Sequence, residues 1–105
     1  HVSTLSYKDL LVSAKKMMKD DARFALVLPY YESRLFIKEA ESNGFYLQKE
    51  FLISPIEGKE PNRVNMQFVL TEVNDIKQEL FTIRNMDYLY TDEYKNFLKD
   101  YYLDF

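Results

Sequence analysis

Three groups of residues in this chain have types and spacings that could serve a ligand. The first is Pro29-Tyr30-Tyr31, directly after the apolar run Phe24-Ala25-Leu26-Val27-Leu28. If that run is a strand of an open α/β sheet, the tyrosines stand at its C-terminal edge, where such sheets take ligands. Rings at that edge can stack on a base or a cofactor. Packing beneath the following helix accounts for them as well, and position alone favours packing. The second group is Pro61-Asn62-Arg63. An arginine opening a strand on its polar side can grip a phosphate or carboxylate through two parallel hydrogen bonds. A surface salt bridge to Glu57 or Glu60 is the more common fate of such a residue. The third group is Tyr88, Tyr90, Tyr94, Tyr101 and Tyr102, with Lys95 and Lys99 among them. Tyrosines beside lysines can form a stacking surface for single-stranded nucleic acid. The neighbouring Asp92, Glu93, Asp100 and Asp104 favour instead an amphipathic helix laid on a sheet.

Other chemistries are absent from the residues. No glycine-rich phosphate loop is present, and no cluster has metal-ligand spacing. The single His is His1 and there is no Cys, which removes disulfides, thiol catalysis and cysteine-based zinc sites. The net charge of −3 gives no overall field for nucleic acid, so any RNA contact has to be local. No apolar run approaches the roughly 20 residues that a membrane helix needs. Lack of cysteine fits a cytoplasmic setting. With 47% apolar and 16% aromatic residues, the 105-residue chain can bury one core.

The elements that must position these groups read helix, strand, helix, strand, strand, strand, helix. Ser6 is a good N-cap, with Asp9 three residues on and Leu5 and Leu10 at the hydrophobic-staple positions. Leu10, Ala14, Met17 and Met18 supply the apolar stripe of the first helix. Arg23–Leu28 reads as a buried strand with both faces covered, as in a parallel sheet. The second helix begins at Glu32 or Ser33, carries Leu35, Phe36, Ile37 and Ala40, and stops at Asn43-Gly44. Tyr46–Ile53 is a strand of mixed pattern, and a loop with Pro55, Gly58 and Pro61 follows. Arg63–Thr71 alternates, with Val64, Met66, Phe68 and Leu70 to one side, and should form an antiparallel hairpin with the strand before it. Glu79–Arg84 is a further strand. Thr91 caps the last helix.

The first helix has no strand ahead of it, and a lone parallel-type strand leaves an apolar edge. The chain thus reads as the second half of an α/β sheet. In order and spacing it resembles the C-terminal portion of bacterial methyltransferases that act on the exocyclic amino group of an adenine in valine tRNA. The resemblance rests on Phe24-Ala25-Leu26-Val27-Leu28-Pro29, the helix ending at Asn43-Gly44, the opening Pro61-Asn62-Arg63-Val64, and Tyr90-Thr91-Asp92-Glu93-Tyr94 leading into Asp100-Tyr101-Tyr102-Leu103. It spans nearly the whole chain. That family is S-adenosylmethionine-dependent, with a Rossmann-like sheet of seven strands. Its Asn-Pro-Pro-aromatic motif and glycine-rich cofactor loop have no counterpart here, so no catalytic or cofactor-binding residue carries over. Pro29, Tyr30 and Arg63 remain as possible substrate-side residues.

The resemblance implies one partial α/β domain over residues 1–105, the C-terminal half of a methyltransferase sheet with mixed parallel and antiparallel strands flanked by helices. Its topology puts Arg23–Leu28 beside Arg63–Thr71, with Tyr46–Ile53 at the edge. The parent protein would use S-adenosylmethionine and tRNA. The portion alone is expected to bind no cofactor, transfer no methyl group, and self-associate through the unpaired edge of Arg23–Leu28. The alternative is a complete small α+β module that binds protein or RNA through a tyrosine-rich surface, with a fully paired sheet.

Overall fold

The computed structural model describes residues 6–101. His1, Leu5, Tyr102, Leu103 and Asp104, which the sequence reading used, lie outside them. The Oγ of Ser6 accepts a hydrogen bond from the Asp9 backbone N–H at 3.1 Å and starts α1 (Tyr7–Met17). Leu11 and Ala14 are its buried residues. Met17, expected on the apolar stripe, is instead 82% exposed. The stripe that packs is Tyr7, Leu10, Leu11, Ala14 and Met18; Met17, the last residue of the helix, falls just outside its margin at Leu10.

Strand β1 (Arg23–Pro29) leads directly into α2 (Tyr30–Ser42). The helix therefore begins two residues before Glu32. Pro29 is its N-cap, and proline's fixed φ is compatible with both the end of a strand and the flank of a helix. Tyr30 and Tyr31 are first-turn helical residues, not loop residues. The helix closes in a Schellman arrangement. Phe45 N–H donates to the Ala40 carbonyl at 3.0 Å and Gly44 N–H to the Glu41 carbonyl at 3.3 Å, with Gly44 at φ 83°.

Three further strands and a helix follow: β2 (Tyr46–Ile56), β3 (Arg63–Val69), β4 (Lys77–Arg84) and α3 (Asp92–Tyr101). The sheet order is β1-β3-β2-β4. β1 and β2 both run antiparallel to β3, and β4 runs parallel to β2. β1, β2 and β4 therefore point the same way. β2 was expected at the edge of the sheet; β4 lies outside it and takes that place. The mixed pattern of β2 has a cause in a register shift between Leu47 and Lys49, which leaves Gln48 without a ladder partner in β3, although its Oε1 accepts from Gln67 Nε2 at 2.6 Å. Such a bulge inverts the in–out alternation. Pro55 is tolerated because pairing with β3 ends at Ile53, so that strand end has one neighbour only.

Residues opposite one another in a sheet share a face. One face carries Phe24, Leu26 and Leu28 of β1 against Phe68, Met66 and Val64 of β3, and α1 and α2 cover it. Phe36 of α2 is its centre, within 5.1 Å of the Tyr7 ring, 5.6 Å of Phe68 and 6.3 Å of Phe24 between ring centres. The opposite face carries Ala25 and Val27 against Gln67 and Asn65. There α3 packs through Tyr94 and Phe97 on Phe81 of β4, leaving an apolar cavity of about 80 Å3 bounded by Phe51, Ile53 and Ile83. It does not reach β1, where Ala25 and Val27 are exposed. The expectation that both faces of this strand are covered thus fails within the described residues. Its continuous apolar run reflects one face on the core and one bare face. Its outer edge pairs with no strand among the described residues, whereas the binding-module alternative requires a fully paired sheet.

Candidate functional site

Because β1, β2 and β4 run the same way, their C-terminal ends at Pro29, Ile56 and Arg84 lie along one end of the sheet. β3 runs against them and begins at that same end with Arg63. Two of the three sequence groups are joined there. Pro29 stands directly opposite Arg63 in the β1–β3 ladder, and the Tyr30 N–H donates to the Asn62 carbonyl at 3.0 Å. Asn62 N–H in turn donates to the Ile53 carbonyl at 2.9 Å. The Pro61-Asn62 segment is held between two strand ends, which fixes where Arg63 emerges. Arg63 is exposed and, among the described residues, makes no ion pair with Glu57 or Glu60. The salt bridge that pattern alone favoured is therefore not formed.

Tyr30 is half-committed. The Arg34 guanidinium lies 4.8 Å from its ring centre. Arg34 itself donates to Glu50 Oε2 at 2.7 Å, and Gln78 Nε2 donates to Glu50 Oε1 at 2.6 Å. Glu50 is only 3% exposed, on the helix-covered face of β2. Sequence reasoning passed over this Tyr30–Arg34–Glu50–Gln78 chain. The signal was a lone acid in the mixed strand β2, whose inward direction the bulge hid. Its partners are all satisfied, so it reads as a structural network tying α2 to β2 and β4. Tyr31, by contrast, is 74% exposed.

The third group divides. Tyr94 packs on Phe81 and Tyr90, as the amphipathic-helix reading expected. Thr91 Oγ1 accepts from the Tyr94 N–H at 3.2 Å and starts α3. Tyr88 and Tyr90 belong to a different object, the loop Asn85–Tyr90 at the same end of the sheet. Asn85 organises it: its Oδ1 accepts from the N–H groups of Asp87 and Leu89 at 2.9 and 3.1 Å. Arg84 donates to the Tyr88 carbonyl at 2.8 Å and to the Tyr90 hydroxyl at 2.9 Å. Glu57 N–H donates to the Arg84 carbonyl at 2.8 Å and ties this loop to the one after β2.

At the opposite end of the sheet a polar groove of about 440 Å3 lies among Arg23, Gln48, Lys49, Gln67, Asp75 and Lys77. Among the described residues no group of three His, Cys, Asp or Glu could hold a metal ion, and no helix is long and apolar enough to cross a membrane.

No family model matches the chain. Individual proteins do. It is 30% identical over 103 residues to a tRNA1(Val) (adenine(37)-N6)-methyltransferase of Parabacteroides distasonis, covering 98% of this chain and 44% of that protein. It is 28% identical over 105 residues to the protein of the same name from Trichodesmium erythraeum, covering 100% of this chain and 44% of the relative. A Bacteroides fragilis protein of that name is 28% identical over 103 residues, covering 98% of this chain and 43% of its own length. The chain thus spans less than half the length of the curated relatives it matches. Several such relatives match it along nearly all of its length, and it is similar to the C-terminal portion of proteins named tRNA1(Val) (adenine(37)-N6)-methyltransferase.

Proposed function

We propose that this chain is the substrate-side half of the catalytic domain of an S-adenosylmethionine-dependent enzyme that methylates the exocyclic amino group of an adenine in tRNA, working in the cytoplasm. The observation that carries this reading is the 98–100% coverage of the chain by relatives of that name, against 43–44% coverage of those relatives. A β1 edge without a strand partner among the described residues agrees with a sheet that takes further strands.

The residues at the C-terminal end of this sheet do not fit the cofactor. They provide no glycine-rich turn, and the polar groove beside Arg23, Gln48 and Lys77 lies at the other end. No step of methyl transfer is therefore assigned to them. In this reading the cofactor and the reacting amino group are held by the other half of the protein. This half supplies the sheet, its rigid helices, and the surface made by Pro29, Tyr30 and Arg63 next to the substrate. Arg63 is positioned by the Asn62 and Pro29 backbone and is free to take an RNA phosphate.

The test compares two proteins: the 105-residue chain, and one in which it is joined to the sequence that precedes it in its gene. Each is assayed for transfer of labelled methyl from S-adenosylmethionine to unmodified tRNA. Transfer to adenine by the longer protein, with none by the chain alone, supports the reading. Transfer by the chain alone, or a longer protein inert on tRNA, overturns it.

A further inference from the structure

We infer that the loop Asn85–Tyr90 is a base-stacking platform on which an unpaired nucleotide of the RNA substrate rests, with Tyr88 as the stacking ring. The inference builds on the tRNA reading above and adds a site to it, at the opposite edge of the sheet from Tyr30.

Tyr88 combines two properties that packing does not account for. It is the only non-glycine residue at positive φ among the described residues, at 63°. A tyrosine there costs stability that Asn or Gly would not, and residues held in that region are found preferentially at functional sites. It is also 70% exposed, and among the described residues its ring enters no aromatic pair and its hydroxyl no hydrogen bond. The chain thus holds a tyrosine at positive φ whose ring is mostly exposed.

The loop that presents it is rigid. The Asn85 side chain fixes two of its N–H groups, Tyr88 N–H donates to the Asn85 carbonyl at 2.9 Å, and Asn85 N–H to the Leu89 carbonyl at 2.8 Å. Arg84 anchors the Tyr88 carbonyl while its guanidinium lies 4.1 Å from the centre of the Tyr90 ring. A ring on a pre-ordered loop stacks without a further ordering cost.

Position then selects the partner. The loop stands at the C-terminal end of β4, on the sheet end where Tyr30, Tyr31 and Arg63 emerge. β1 and β4 are three strand spacings apart, about 14 Å. That end of the sheet carries the exposed Tyr31 and Tyr88 and, on the face away from α2, the exposed Arg63. Charge in the loops after β2 and β4 and at the strand ends beside them is balanced: Lys59, Arg63 and Arg84 against Glu57, Glu60 and Asp87. Stacking, which every base offers, must then dominate over phosphate attraction. The ligand class is therefore single-stranded RNA with weak sequence preference and a shallow salt dependence.

The test uses the 105-residue chain and a fluorescein-labelled 12-nucleotide single-stranded RNA, with the same sequence as a duplex for comparison. Tyr88→Asn removes the ring yet suits the left-handed backbone, so it should fold at least as stably as the parent; Tyr88→Phe keeps the ring. The expected result is a five- to hundredfold loss of single-strand affinity for Tyr88→Asn, near-parent affinity for Tyr88→Phe, and weaker binding of the duplex. Equal affinity of Tyr88→Asn and parent overturns the platform, as does absence of RNA binding by the chain. Either leaves the methyltransferase reading to its own methyl-transfer assay. Sedimentation in which the parent self-associates and Tyr88→Asn does not would make the loop a protein interface and would also overturn the inference.

Discussion

Arg34 of α2 donates to the carboxylate of Glu50 on β2 at 2.7 Å, and this pair couples the helix-covered face of the sheet to the end where the candidate site lies. Glu50 is almost fully buried, whereas a third of the Arg34 side chain meets solvent. Removing the exposed partner leaves the buried charge with Gln78 alone. Arg34→Leu should therefore cost about 2–3 kcal/mol by chemical denaturation. Glu50→Leu combined with Arg34→Leu should recover most of it, because neither charge then stays buried without a partner. A double variant as unstable as Arg34→Leu would mean that the loss came from the Tyr30–Arg34 stacking, not from the stranded carboxylate.

The two faces of the sheet should differ in what they contribute. Phe36 is fully buried among Tyr7, Phe24 and Phe68, so Phe36→Ala leaves a cavity at the centre of the core. The expected cost is about 3–5 kcal/mol, much of the stability of a domain this size. Phe81 is half-buried under α3, and Phe81→Ala should cost about 1–2 kcal/mol. Hydrogen exchange should show the Phe81 variant losing protection in α3 while α2 and β3 keep theirs. Loss of protection across the whole chain would show that α3 belongs to the same cooperative unit.

Tyr7 gives the fold a dependence on alkaline pH. Burial raises its pKa above the usual 10.0, and the charge of Glu32 and the hydrogen bond to it act in the same direction. The folded state thus holds the neutral phenol more tightly than the unfolded state does. Its contribution is full below pH 10 and is lost as pH rises through the higher folded value. The denaturant midpoint should fall with pH above 10 less steeply for Tyr7→Phe than for the parent. Identical slopes for the two proteins would remove Tyr7 as the cause.

What the sequence made legible, and what it hid, follows from how local each cause is. Ser6, Thr91 and the Asn43-Gly44 stop act within one helical turn, and all three perform as their types imply. The alternation of Val64, Met66 and Phe68 is likewise a local record of one covered face. The errors were long-range. The run Phe24–Leu28 gives no sign that one of its faces is left bare, because Ala25 and Val27 look the same whether or not a neighbour covers them. A single bulged residue, Gln48, scrambled β2 and concealed that Glu50 points inward to Arg34. The parallel placement of β4 outside β2 depends on a partner far along the chain. The site was legible as separate pieces, Pro29-Tyr30 and Asn62-Arg63; their meeting is a product of strand direction, which no short motif encodes.

The bare edge of β1 carries the last prediction. Its backbone from Arg23 to Pro29 pairs with β3 on one side only, and Ala25 and Val27 leave its open face apolar and uncharged. Such an edge is a template for another strand. In the longer protein proposed above, the preceding half of the sheet would occupy it. Among the described residues the edge is free, and a second copy can pair with it about a two-fold axis. The chain should therefore sediment as a concentration-dependent dimer, and Val27→Lys, which places a charge on the apolar face beside the edge, should shift it to monomer without loss of helix by circular dichroism. A monomer at high concentration in the parent chain would sink the prediction. A dimer insensitive to Val27→Lys would move the contact elsewhere, the Asn85–Tyr90 loop being the next surface to examine. The longer protein, with this edge filled, should show no effect of Val27→Lys on its state of association.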